Sequence, residues 1–139
     1  MDYQKCTLEV SDSCIVVKEN RSKFELKNPQ RRIVKKVKVD GCLIDDKRER
    51  CDWILSLDAP ISRVLYVELK GCDIEKAISQ LKATIVHTKD NYIHHNKECY
   101  AITTRYPKHD STTRKYAMEM MQKHQASLYI KNLIISVEA

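Results

Sequence analysis

Residues 63–71 form the most apolar and β-branched run of the 139-residue chain, and this run ends in two charges of opposite sign. In a β-strand, successive side chains point to opposite faces. Glu68 and Lys70 would therefore share one face with Val64 and Tyr66. Burying such a charge pair costs free energy unless its polar atoms are satisfied. The strand end is therefore either open to solvent or part of a functional site.

The residues before this run predict two further strands. Residues 33–44 read as a strand or a bent strand pair, and residues 51–57 form another apolar strand. Residues 45–50 between them are a polar hairpin loop. Within the first of these segments, the dipeptide Asp40-Gly41 fits a tight turn or a glycine bulge equally well.

A helix is predicted directly after residues 63–71. Asp73 is a candidate N-cap, because its side chain can accept from the first free backbone N–H groups. The apolar residues that follow recur at helical spacing and define one face: Ile74, Ala77, Ile78, Leu81 and Ile85. The middle of the chain is therefore expected to run strand–strand–strand–helix.

The rest of the chain completes an α/β pattern. Residues 98–104 and 127–137 each predict a strand, and residues 111–125 predict a second helix. A strand–helix–strand connection places residues 98–104 parallel to the strand before the first helix. Residues 1–32 predict only a short strand near Cys14. We expect one domain over residues 1–139, with a central mixed sheet of about five strands flanked by two helices.

The charge balance favours an anionic partner. The formal net charge is +6 and the sequence pI is about 9.0, which points to nucleic acid first and to a membrane surface second. An ordinary solvated surface is the alternative. No apolar run reaches the roughly 20 residues of a transmembrane helix, and the N-terminus lacks the apolar core of a signal peptide. The expectation is a soluble, cytoplasmic protein that does not enter a membrane.

Basic residues gather in two places that are candidates for phosphate contacts. One group precedes or lies on the first predicted strand, and the other surrounds the start of the second helix. Such contacts give salt-dependent binding that ignores base sequence. The candidate residues are Lys35, Lys36, Lys38, Arg105, Lys108 and Arg114, with Arg31, Arg32 and Lys115 beside them.

The six cysteines, at positions 6, 14, 42, 51, 72 and 99, form no Cys-x-x-Cys motif. Several lie in apolar runs, so reduced, buried thiols that act as small hydrophobes are expected. The alternative is a zinc site built from Cys99 with His94 or His95. A secreted disulfide scaffold is not expected without a signal peptide.

The tripeptide Glu-Leu-Lys occurs twice, at residues 25–27 and 68–70. The first copy follows a polar segment and runs into Asn-Pro, whereas the second ends an apolar strand and precedes a helix. If residues 51–57 and 63–70 pair as a hairpin, Asp52 lies level with Glu68 and Lys70. Two carboxylates at one sheet edge suit Mg²⁺, which binds a few carboxylates and keeps water and phosphate oxygens as its other ligands.

This pattern, Asp52 followed by Glu68-Leu69-Lys70, resembles the PD-(D/E)xK nuclease superfamily. The resemblance covers roughly residues 33–86 and includes the order strand–strand–strand–helix. It implies a restriction-endonuclease-like core that hydrolyses phosphodiester bonds with Mg²⁺ or Mn²⁺. By matched position, Asp52 and Glu68 would be metal ligands and Lys70 the catalytic lysine. Gln80 fits the polar position that many members carry on the following helix, although a solvated glutamine is the alternative.

The chain departs from the family pattern in two respects. Cys51 stands before Asp52 in place of a proline. Many members take a further acid from an N-terminal helix, for which Glu19 and Glu25 are the candidates here. Asp40 is another candidate for this further acid, although an aspartate before a glycine is also typical of a turn.

Three functions follow from these patterns. The first is a metal-dependent nuclease acting on DNA, which is favoured, or RNA. The second is a catalytically inactive member of the same fold that binds nucleic acid or protein. The third is an unrelated α/β domain in which the charged residues form a structural network. One site per chain favours a homodimer on a duplex.

Overall fold

The computed structural model describes residues 1–69, 73–104 and 111–139. The helices within these ranges are α1 (Tyr3–Cys6), α2 (Ile74–Thr88) and α3 (Ser111–His124). The strands are β1 (Thr7–Val10), β2 (Cys14–Glu19), β3 (Ser22–Lys27), β4 (Val34–Lys38), β5 (Trp53–Leu57), β6 (Arg63–Leu69), β7 (Asn96–Thr103), β8 (Ala126–Asn132) and β9 (Ile134–Glu138).

The main sheet has six strands in the order β1-β4-β5-β6-β7-β8. Strands β1, β4, β5 and β6 pair antiparallel, whereas β6, β7 and β8 pair parallel. The prediction of an α/β fold with a mixed sheet is confirmed, with one strand more than expected. The additional strand is β1, a four-residue segment too short to show a clear alternation.

A second sheet of three strands, in the order β2-β3-β9, was missed by the prediction. It packs on the face of the main sheet opposite α2 and α3, and Phe24, Leu26 and Ile135 of this sheet are buried in a second core. The fold therefore has three layers: helices, main sheet and small sheet. The prediction placed two helices against the central sheet and did not include the small sheet on its other face.

The prediction of a single strand over residues 127–137 was also wrong. Leu133 adopts φ 64°, which a leucine rarely takes, and its backbone turns the chain from one sheet to the other. Its N–H donates to Thr103 O at 2.7 Å in the main sheet, while its carbonyl accepts from Lys23 N at 2.7 Å in the small sheet. These two bonds hold the corner in place.

The predicted apolar face of α2 lies against the main sheet. Ala77, Ile78, Leu81 and Ile85 are all buried there. Asp73 caps the helix, since its side chain accepts from Lys76 N at 3.1 Å. Among the described residues, no helix combines the length and apolar character that spanning a membrane requires.

The segment 33–44 contains one strand and a compact turn. β4 ends at Lys38, and Gly41 has φ +81°, a conformation that favours glycine. Ile44 N then donates to Val39 O at 2.9 Å and closes the turn. The turn interpretation of Asp40-Gly41 is therefore confirmed, and the strand ends earlier than predicted.

A disulfide joins Cys6, at the end of α1, to Cys42 in this turn. The expectation that every cysteine is reduced was wrong for this pair, because a link across 36 residues leaves no local spacing motif. Cys14 is free but exposed, whereas Cys51 and Cys99 are free and buried as expected. Cys72 lies outside the described residues.

Candidate carboxylate site at the end of β6

Asp52 lies level with Glu68 where β5 and β6 meet. The last paired positions of the hairpin are Trp53 and Val67. One step further, Asp52 N donates to Val67 O at 3.1 Å. The Asp52 carboxylate then accepts from Leu69 N at 2.7 Å through Oδ2. The side chain of Asp52 thus extends the pairing where the backbone of β5 leaves the sheet.

Both carboxylates are removed from solvent. Asp52 is 6% exposed and Glu68 is 0% exposed. Burial raises the pKa of the Cys51 thiol well above its ordinary value, and the negative charges of Glu68 and Asp52 raise it further. The thiol is therefore neutral at physiological pH, and two negative groups lie close to it.

Helix α2 binds the backbone of Cys51, just before the start of β5. The Thr84 side chain accepts from Cys51 N at 2.7 Å and donates to Gln80 O at 2.8 Å. Sequence reasoning missed Thr84, although it interrupts the apolar face between Leu81 and Ile85. A hydroxyl at such a position indicates a buried polar partner.

Gln80 is 7% exposed, so the alternative that its side chain is solvated was wrong. It lines a cavity of about 280 Å³ beside the 45–50 loop. Basic side chains form much of the wall of this cavity. Its lining residues are Asp40, Lys47, Arg48, Glu49, Arg50, Lys76 and Gln80.

The arginines of this cavity are held by their own loop. Arg50 donates to Asp40 Oδ1 at 3.0 Å and to the carbonyls of Asp46 and Arg48 at 2.7 and 2.8 Å. Arg48 Nε contacts both carboxylate oxygens of Asp46 at 3.0 and 3.1 Å. Asp40, a candidate acid, is thus bound to Arg50.

The other Glu-Leu-Lys copy, at residues 25–27, also lies at the end of a strand. The prediction had placed it after a polar segment and not at the end of a strand. Glu25 is in β3 of the small sheet and contacts Lys23 at 2.6 Å. Glu19 ends β2 in the same sheet. Since this sheet covers the opposite face of the main sheet from α2, neither residue joins Asp52 and Glu68. What distinguishes the second copy is the complete burial of Glu68.

The predicted basic groups are dispersed. Lys35 contacts Asp58 at 3.3 Å, whereas Lys36 lies on the other face of β4, 5.0 Å from the centre of the Trp53 ring. Lys38 on β4 and Arg114 on α3 are both exposed. Three predicted residues, Lys70, Arg105 and Lys108, lie outside the described residues.

The donor set at Asp52 and Glu68 consists of oxygen atoms, which Mg²⁺ and Mn²⁺ prefer. The described residues contain no group of three or more His, Cys, Asp or Glu side chains arranged to hold a metal ion. The zinc alternative is not supported by the placement of its residues. Cys99 is buried in the core under α2, and His95 contacts Asp58 instead.

Comparisons with models of protein families, with curated proteins and with solved structures gave no match to this chain.

Proposed function

We propose that this protein is a metal-dependent nuclease with a restriction-endonuclease-like core, acting on DNA in preference to RNA. The proposal rests on the position of Asp52 level with Glu68 at the end of β6. This position is one residue beyond the last paired residues of the hairpin, Trp53 and Val67. In the sequence, Lys70 follows two residues later. The order β4–β5–β6–α2 is the order that the family resemblance implies.

The chemistry of the two side chains supports a cation beside this pair. Carboxylate oxygens are the ligands that Mg²⁺ and Mn²⁺ prefer. A divalent cation bound there would polarise a phosphodiester and acidify a bound water. Asp52 and Glu68 would hold it, each through carboxylate oxygen.

The surrounding residues have supporting roles. Asp52 is already oriented, because Leu69 N holds one of its oxygens. Gln80 lies in the wall of the adjacent cavity, where Lys47 and Lys76 offer positive charge to a phosphate backbone. Lys70 would orient or deprotonate the attacking water, as the resemblance implies.

The test is cleavage of plasmid DNA and of RNA with Mg²⁺ or Mn²⁺. The wild type is compared with Glu68→Gln and Lys70→Ala, and with Glu25→Gln as the matched control in the other Glu-Leu-Lys copy. We expect the first two variants to lose cleavage and the control to keep it. Unchanged cleavage in Glu68→Gln would place the activity elsewhere.

The second candidate is an inactive nucleic-acid-binding module of the same fold. The observation in its favour is that Glu68 has no exposed surface and one oxygen of Asp52 is engaged by the backbone. It predicts salt-dependent binding of nucleic acid without cleavage under any metal. A gel-shift assay run beside the cleavage assay separates the two functions.

A further inference from the structure

A second cavity, of about 400 Å³, opens at the other end of the β4–β5 pair, far along the strands from Asp52. It lies on the helix side of the sheet, where α2 packs on β6 and β7 and α3 packs on β8. Among the described residues, the four-residue α1 and the turn around Tyr92 line the cavity over β4 and β5, together with Thr7 and Glu9 of β1. Its volume falls in the range of small-molecule sites.

The inner wall of this cavity contains one aliphatic and two aromatic side chains. It is formed by Val37 and by the rings of Tyr3 and Tyr92, which meet edge to face with centroids 6.4 Å apart. Tyr92 is 3% exposed. Lys97 Nζ holds the turn by donating to Tyr92 O at 3.1 Å. Val37 is 1% exposed and Tyr3 is half-buried, so of these three residues Tyr3 is the one that an apolar group in the cavity can reach.

The rim of the cavity carries charges of both signs in fixed positions. The Asp58 carboxylate accepts from His95 Nε2 at 2.9 Å and contacts Lys35 Nζ at 3.3 Å. Glu9 stands opposite Lys35 in the β1–β4 pairing. The side chains of Asp58 and Lys35 remain 58% and 47% exposed, so a ligand can reach both.

We propose that this cavity binds a small zwitterion of the amino-acid class with an apolar side chain. Its ammonium group contacts Asp58, its carboxylate contacts Lys35, and its side chain packs on Tyr3. Binding breaks the Lys35–Asp58 contact. Each of the two side chains then pairs with the opposite charge of the ligand, so no charge is left unpaired. His95 keeps Asp58 oriented throughout. The proposal does not depend on the nuclease activity.

The test is calorimetric titration of the full chain with three probes that differ by one charged group. L-phenylalanine has both groups, phenethylamine lacks the carboxylate and 3-phenylpropionate lacks the ammonium. We expect phenylalanine to bind about tenfold more tightly than either analogue, since each lost charge-assisted contact costs about this factor. Equal binding of phenylalanine and one analogue would overturn the proposal, and so would the absence of any binding at millimolar concentration.

Two variants assign the contacts. Lys35→Met should weaken phenylalanine and 3-phenylpropionate but not phenethylamine, because it releases Asp58 from its contact with Lys35. Asp58→Asn should weaken phenylalanine and phenethylamine but not 3-phenylpropionate, because it releases Lys35 in the same way. Lys18→Met, on the exposed side of β2, is the matched control for the loss of one positive charge. If both cavity variants bind every probe as the wild type does, the ligand lies elsewhere and the proposal fails.

Discussion

The Oδ2 atom of Asp52 accepts a hydrogen bond from the backbone N–H of Leu69 at 2.7 Å, in a buried environment. One carboxylate therefore has two roles in the proposed site. It completes the pairing of β5 with β6, and in the proposed site its second oxygen would bind the metal. Substitutions that keep or remove the acceptor separate these roles.

Asp52→Ala should lower the free energy of unfolding by about 1–3 kcal/mol, because it leaves the Leu69 N–H buried without an acceptor. Asp52→Asn keeps an oxygen acceptor and should lose clearly less stability. Both variants should lose nuclease activity, since neither has a carboxylate for the metal. Denaturant unfolding and plasmid cleavage measure the two effects. An active Asp52→Asn enzyme would remove Asp52 from the metal ligands.

Thr84 should support the same site from α2. Thr84→Val keeps the shape of the side chain but leaves the buried Cys51 N–H without its 2.7 Å acceptor. We expect a loss of about 1–3 kcal/mol in unfolding free energy. Thr84→Ser keeps the hydroxyl and should lose only about 1 kcal/mol for the missing methyl group. Equal losses in the two variants would mean that the hydroxyl does not hold Cys51.

The sequence predicted the elements whose apolar pattern is long and regular. The face of α2 and the run that became β6 were found because each contains several consecutive matches to one period. β1 and β3 were missed, since a short strand among polar residues resembles a loop. The division of residues 127–137 into two strands was missed because a leucine with positive φ leaves no sequence signal.

The candidate site was predictable in part. The hairpin that brings Asp52 level with Glu68 follows from two apolar runs joined by a short turn. The separation of Lys35 from Lys36 also follows from strand alternation once β4 is assigned. The burial of Gln80 depends on how α2 covers the main sheet. Such coverage is a tertiary property.

The Cys6–Cys42 disulfide should be a large part of the stability. Closing a loop of this length is worth about 3–4 kcal/mol in the chain-entropy account. We expect the double variant Cys6→Ser, Cys42→Ser to lose unfolding free energy of that size. Thiol titration in denaturant should find two fewer free thiols without a reductant than with one. Equal thiol counts would show that the pair is reduced in the isolated protein.

The acid sensitivity of the second cavity follows from Asp58. Hydrogen bonding by His95, with a smaller contribution from Lys35, lowers the pKa of Asp58 below its usual 3.8. Because the pKa of Asp58 is lower in the folded than in the unfolded state, its ionised carboxylate stabilises the fold at pH values above the unfolded-state pKa. This stabilisation is lost as the pH falls through the folded-state pKa. NMR titration of the carboxyl carbon should show a midpoint below 3.8. In His95→Gln, which has no positive charge, that midpoint should move upward.

Replacing Glu68 tests whether the buried carboxylates bind a cation. Added Mg²⁺ should raise the melting temperature of the wild type and leave that of Glu68→Gln unchanged.

Glu25→Gln is the matched control, since it alters the same tripeptide in the small sheet and should respond to Mg²⁺ as the wild type does. A Glu68→Gln variant that loses stability and still responds to Mg²⁺ would show that Glu68 belongs to a structural ion network. In that case Asp52 and Glu68 would hold the end of β6 together without binding metal.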